Sequence, residues 1–119
     1  DDVMNFLPSR ISGILMVLAA PLVKLDGKNA WKIFKRDRLC HASPNSAQTE
    51  SVMAGALQVQ LAGDAWYFGK KHEKPTIGDP IRPVEIADIA RANRLLYAAS
   101  ALGMIVFNGI KIILLLLLL

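Results

Sequence analysis

The chain alternates between apolar stretches and one densely polar one. From Asp2 to Leu15 polar and apolar residues recur at helical spacing, with Asp2, Asn5, Ser9 and Ser12 on one face and Met4, Leu7, Ile11 and Leu15 on another. This predicts a membrane-associated helix over 1–25, bent at Pro8. Ile11 to Val23 carries no charge, but thirteen residues rise only roughly 20 Å against a hydrocarbon core of roughly 30 Å. That run spans a bilayer only if its polar start is included; otherwise it is re-entrant or buried.

Lys24 to Arg38 carries six basic residues around an Asp26-Gly27 turn, with Trp31, Ile33 and Phe34 making the stretch amphipathic. Ser43-Pro44-Asn45 breaks the chain. Asn45 with Gln48 three residues on reads as a capping box, opening an Ala- and Gly-rich helix to about Ala62. Lys70 to Pro83 holds three prolines and a Gly-Asp-Pro turn, which predicts irregular loop. Pro83 is expected as the first residue of the next helix, with Glu85 and Asp88 favourable near its N-terminal dipole. Leu95 to Leu119 is interrupted only by Asn108 and Lys111 among strongly polar types, and predicts a transmembrane helix.

The expected fold class is therefore all-α: a helical integral membrane protein fragment, 1–119 forming part of one polytopic domain. Basic residues flank the 50–62 helix on both sides, six in 24–38 and six in 70–94. By the positive-inside rule both flanks are cytoplasmic, so 26–94 forms one polar region on the cytoplasmic face of the membrane. The first residue is Asp1 rather than methionine, and the chain is expected to be a piece of a longer one.

Composition narrows the chemistry. The apolar fraction is 53%, and the net charge of +4 is too mild and dispersed for a nucleic-acid partner, so the bilayer is the expected one. The single cysteine, Cys40, excludes an internal disulfide and a cysteine zinc cluster. Gly27-Lys28 lacks the rest of a P-loop. Cys40 and His41 are sequence neighbours, a poor arrangement for nucleophile and base, and His41 with His72 lacks zinc-ligand spacing.

What remains is oxygen-rich: Asp2, Asn5, Asp37, Asn45, Glu50 and Asp79, together with Arg10, Arg36 and Arg38. Carboxylates and amides suit Mg²⁺, and arginines suit phosphate. The plainer account pairs Asp37 with its arginine neighbours, makes Asn45 a cap and leaves Glu50 in solvent. Arg10 and Asp2 beside apolar helices need partners, so Asp2, Asn5 and Arg10 are expected to approach the stretch 36–50.

The motifs DDVMNFLPSRIS, FKRDRLCHASPNSAQTESVMAGAL, LAGDAWYFGK and IGDPIRPVEIADIARANRL, in this order, resemble the CobD/CbiB family of cobalamin biosynthesis over about residues 1–107. The H-x-S-P-N-x-x-x-x-E run from His41 to Glu50 is specific together with the opening Asp, Asn, Pro and Arg of Asp1–Arg10. The resemblance implies the C-terminal part of an integral membrane adenosylcobinamide-phosphate synthase, a carbon–nitrogen ligase joining adenosylcobyric acid to an aminopropanol phosphate with ATP and Mg²⁺. Matching polar positions are Asp1, Asp2, Asn5, Arg10, Asp37, His41, Ser43, Asn45, Glu50, Asp64, Gly78 and Asp88. It further implies catalytic roles for His41, Asp37 and Glu50, with Asp37 and Glu50 holding Mg²⁺. Substrate binding would fall to Asp2, Asn5, Arg10, Arg36, Arg38, Ser43 and Asn45. Expected partners are the corrinoid, the aminopropanol phosphate, the bilayer and other membrane-associated cobalamin-assembly enzymes. Three departures stand out: Gln58 where a glycine is expected, the leucine run after Lys111, and the family's N-terminal membrane segments, which the sequence lacks. The alternatives are a non-catalytic membrane sensor of the AmpE type, a corrinoid transport component, and a fragment inactive alone.

Overall fold

The computed structural model describes residues 2–41 and 43–119. Asp1 and Ala42, and the side chains of Asp2, Ala65, Tyr67 and His72, lie outside what is described. Four helices make up most of the fold: α1 (Asp2–Ala19), α2 (Gly27–Asp37), α3 (Ser46–Leu57) and α4 (Ala87–Leu118). A 3₁₀ turn, Ala20–Val23, follows α1, and four short strands lie between α3 and α4.

Helix α1 carries Pro8 within it and gives way at Pro21 to the 3₁₀ turn. Lys24, left-handed at φ 63°, stops that turn and donates its amide to the Ala20 and Pro21 carbonyls. Asp26 then caps α2 by accepting the Asn29 amide at 2.9 Å. Ala30, Ile33, Phe34 and Asp37 recur at i, i+3, i+4 and i+7 and form the buried face of α2. That face meets α3 at backbone distance. A Cβ on Gly55 would lie 2.6 Å from the Asn29 oxygen and 2.7 Å from the Ala30 Cα, so only glycine fits there. Met16, Ala19 and Ala20 join Ala30, Phe34, Val52, Ala56, Leu95 and Ala99 in one buried cluster that all four helices share.

The expectation of an all-α chain is corrected between residues 61 and 77. Strands β1 (Leu61–Ala62) and β4 (Thr76–Ile77) pair antiparallel, and β2 (Ala65–Tyr67) pairs with β3 (Lys70–His72) inside them. Phe68 and Gly69 turn the inner hairpin with φ of 52° and 77°, the positive angles that a two-residue type I′ turn needs. Phe68 is a poor signal for that turn, and strands of two or three residues show no alternation to read. The stretch 70–83, expected as loop, therefore contains two strands.

Boundaries move as well. Helix α3 stops at Leu57 rather than Ala62, because Gln58 adopts a left-handed φ of 62° and its amide closes on Ala54 and Gly55. Helix α4 starts at Ala87, not Pro83. Asn45 occupies the N-cap position of α3, but its side chain makes no cap hydrogen bond.

Two helical stretches are long and apolar enough to cross a membrane: Val3–Val23, with mean hydropathy 1.7, and Ala87–Leu118, with 2.4. Along α4 only Asp88, Leu95, Ala99 and Gly103 are buried, a single stripe. Helix α3 packs against both α1 and α2.

Candidate active site

The polar stretch divides into two sites rather than one. At the first, the Asn45 Oδ1 accepts from Arg10 Nη1 at 3.2 Å and from Ser9 Oγ at 3.3 Å. This is why Asn45 does not cap α3: its oxygen is turned to α1. Arg10 also donates to the Phe6 carbonyl at 2.9 Å and stacks over the Phe6 ring, 3.5 Å from its centroid. Asn5, Ser9, Ser12, Ser43, Asn45 and Ser46 line a cavity of about 380 Å³ beside this contact. Asn5 and Arg10 thus approach the 36–50 stretch through Ser43 and Asn45, as their cost beside apolar helices requires.

Ser43 organises the approach to α3. Its hydroxyl accepts the Asn45 amide at 3.3 Å, and its own amide donates to His41 Nδ1 at 3.0 Å. A ring nitrogen that accepts leaves the proton of the neutral imidazole on Nε2. His41 is exposed, so it presents an N–H donor outward rather than a lone pair.

The second site closes the other side of the stretch. Arg36 grips Asp37 through Nε to Oδ1 and Nη2 to Oδ2, both at 2.8 Å. Asp37 Oδ2 also accepts the Gly78 amide at 2.8 Å. Asp37 is buried, yet its carboxyl is held below the usual range, because the Arg36 hydrogen bonds and the Gly78 amide outweigh burial. Arg36 reaches Asp79 too, with Nη1 at 3.1 Å and Nη2 at 3.0 Å from its oxygens, and these two carboxylates raise the arginine further. Its donors are spent on protein. The Arg38 guanidinium, by contrast, makes no hydrogen bond or ion pair among the described residues.

Other expected residues fall elsewhere. Asp64 pairs with Lys71 and accepts the Lys74 amide in the strand region. Asp88 sits with Arg82 and Arg91 at the start of α4. That cluster lies toward the C-terminal end of α3, where the Arg82 amide donates to the Gln58 carbonyl at 3.2 Å.

The profile of the family described as "CobD/Cbib protein" matches residues 1–96. Proteins named "Cobalamin biosynthesis protein CobD" are similar: one from Clostridium perfringens is 47% identical over 114 residues, covering 96% of this chain and 36% of the relative. The protein of that name from Geobacter metallireducens is 50% identical over 102 residues, 86% of this chain and 32% of its own. A third, from Klebsiella pneumoniae, is 47% identical over 111 residues, 93% and 35%. The chain belongs to the CobD/CbiB family. No solved structure gives a significant match.

This CobD/CbiB segment spans about a third of the length of those relatives. Among the described residues, the donor set fits Mg²⁺ poorly. The Asp37 carboxylate is committed to Arg36 and Gly78, while Glu50, half-buried on α3, has no hydrogen-bond partner among the described residues. No group of three His, Cys, Asp or Glu among those residues could hold a metal ion.

Sequence reasoning missed Gln48 as an organiser of the CobD/CbiB motif. It is fully buried, and its Nε2 bridges the Arg38 and Pro44 carbonyls at 3.3 and 3.2 Å, closing the loop that carries His41 and Ser43. Its Oε1 has no partner among the described residues. Read as the N3 residue of a capping box, Gln48 gave no sign of this role, because the loop it closes is not periodic.

Proposed function

We propose that this chain is the part of a cobalamin-biosynthetic ligase that helps join adenosylcobyric acid to an aminopropanol phosphate, with ATP and Mg²⁺ as co-reactants. The observation that supports the reading is family membership across most of the chain, with Ser43, Asn45 and Ser46 of the His41–Glu50 motif lining a polar cavity. Arg38, whose guanidinium makes no hydrogen bond among the described residues, meets a phosphate; Asn45, held by Arg10 and Ser9, and Ser43 orient the polar substrate. His41 donates a hydrogen bond from Nε2 toward developing negative charge on the acyl oxygen. Asp37 and Arg36 hold the loop after β4. Glu50, which has no hydrogen-bond partner among the described residues, binds a cation or takes a proton together with ligands from elsewhere.

The reading includes α4 as a span, with the 24–94 region on the cytoplasmic side of a bacterial inner membrane. Cysteines placed at Lys28 and Lys71 then label from the same side, and labelling from opposite sides overturns that orientation.

The function is tested in a strain blocked at cobinamide formation and complemented with the full-length protein. His41→Ala and Glu50→Gln lower formation about a hundredfold or more with membrane expression unchanged. Near-normal formation in both moves the chemistry out of this segment.

A further inference from the structure

The apolar stretch Val3–Val23 ends where α2 turns back against it. Gly27 permits that turn, since a Cβ there would lie 2.9 Å from Pro21 Cδ. Between the two helices lies a cavity of about 460 Å³, lined by Val17, Leu18, Pro21, Leu25 and Trp31 together with Lys28. Leu18 and Trp31 keep 57% and 44% of their surface exposed. The Trp31 ring rests against Phe34, with centroids 5.9 Å apart, and Lys35 Nζ lies 5.2 Å from its centre. Neither the Lys28 nor the Lys35 ammonium makes a hydrogen bond or ion pair among the described residues. Asp26, beside Lys28, is taken up by the Asn29 amide and by Gln58. Lys28 also stands in the first turn of α2, where the helix dipole disfavours a cation.

We infer that this cavity binds one anionic phospholipid of the bilayer. Its phosphodiester lies at the Lys28 and Lys35 ammonium groups, and the upper part of an acyl chain lies against Leu18, Pro21 and Trp31. Charge and position select this occupant. The two ammonium groups complement a phosphodiester, and an anion beside Lys28 offsets its conflict with the dipole. Tryptophan favours the boundary between headgroups and hydrocarbon, and Trp31 lies beside Val17 to Pro21, near the end of the apolar stretch. A soluble acidic peptide would engage the lysines but leave the apolar wall in water. The cavity shares no lining residue with the one beside Asn45, so the lipid takes no part in the ligation.

Full-length protein in detergent, titrated with lipid and read by native mass spectrometry, binds phosphatidylglycerol at least about tenfold more tightly than phosphatidylcholine. Lys28→Gln with Lys35→Gln removes that preference. Lys32→Gln with Lys70→Gln, the same loss of charge outside the cavity lining, leaves it in place. A second readout needs no change of charge. In phosphatidylcholine nanodiscs holding a small fraction of brominated phosphatidylglycerol, tryptophan emission is quenched, and Trp31→Phe loses most of the quenched component. Equal affinity for the two lipids in the wild type overturns the site, as does a preference that survives in Lys28→Gln with Lys35→Gln. Quenching that persists in Trp31→Phe puts the lipid elsewhere and also overturns it. Displacement of phosphatidylglycerol by inorganic phosphate at equal concentration makes this an anion site without a lipid, which overturns it too. Each of these failures leaves the ligase reading standing.

Discussion

The Gly78 amide donates to Asp37 Oδ2 at 2.8 Å, tying the turn after β4 to the last residue of α2. Gly78 is left-handed at φ 83°, and a Cβ there would lie 2.6 Å from the Val59 oxygen and 2.7 Å from the Ala54 Cβ. Gly78→Ala is expected to cost at least about 2 kcal/mol, from both backbone strain and the clash. Asp37→Ala leaves the amide and Arg36 without their acceptor and is expected to cost about 2–3 kcal/mol. Urea unfolding of the purified protein checks both; a loss under about 0.5 kcal/mol in either removes the tie as a stabilising element.

The same carboxylate makes stability depend on pH. Asp37 is held below the usual carboxylate value, chiefly by Arg36. Its contribution is therefore complete above the unfolded-state value, and is lost as pH falls through the folded one. Thermal melts of the wild type should drop between about pH 5 and about pH 3 more steeply than those of Asp37→Asn. Parallel curves would assign the acid sensitivity to other groups.

Gln58 sits at a left-handed position where glycine is the relaxed choice, and offsets the strain by donating Nε2 to Asp26 Oδ2 at 2.8 Å. Gln58→Gly should change stability by less than about 0.5 kcal/mol, since relief of strain and loss of the bond nearly cancel. Gln58→Ala keeps the strain, loses the bond and should cost about 1 kcal/mol. With Asp26→Ala already in place, Gln58→Gly should stabilise by about 1 kcal/mol. A glycine that destabilises in that background contradicts the compensation.

Arg10 and Asn45 should be energetically coupled. A double-mutant cycle with Arg10→Ala and Asn45→Ala is expected to give an interaction energy of about 0.5–1.5 kcal/mol. Additive effects would mean the two side chains act independently and that the polar cavity is not held by them.

The helices were legible because their signals are local and periodic. The apolar spacing of α2 shows its buried face, and uninterrupted hydropathy shows α4. The Asp26 turn was legible too, although its role as the α2 cap was not. The strands were not legible: Leu61 and Ile77 pair across a nested hairpin, and nothing in either two-residue stretch announces its partner. The candidate site was half legible. Residue types gathered Arg10, Asn45, Asp37 and Glu50 into one set. Which carboxylate an arginine occupies depends on side-chain geometry, and Arg36 takes Asp37 and Asp79 away from that set. Gln58 was noticed as out of place, but the reason is the left-handed end of α3, not the packing within it.

The junction of Asp26, Gln58 and Arg82 bears on the order in which the chain folds. Helices α2 and α3 are joined by the short connection 38–45, so their docking closes a small loop at little entropic cost. The Gln58–Asp26 bond forms with that hairpin of helices. The Arg82 amide reaches the Gln58 carbonyl only once the nested strands have folded, and α4 settles on α1 by the longest closure of all. The local α2–α3 contact is thus the cheaper nucleus, and the long-range closures follow it. Substitutions such as Gly55→Ala, in the local α2–α3 interface, should therefore slow refolding, while those along the α1–α4 stripe should chiefly hasten unfolding.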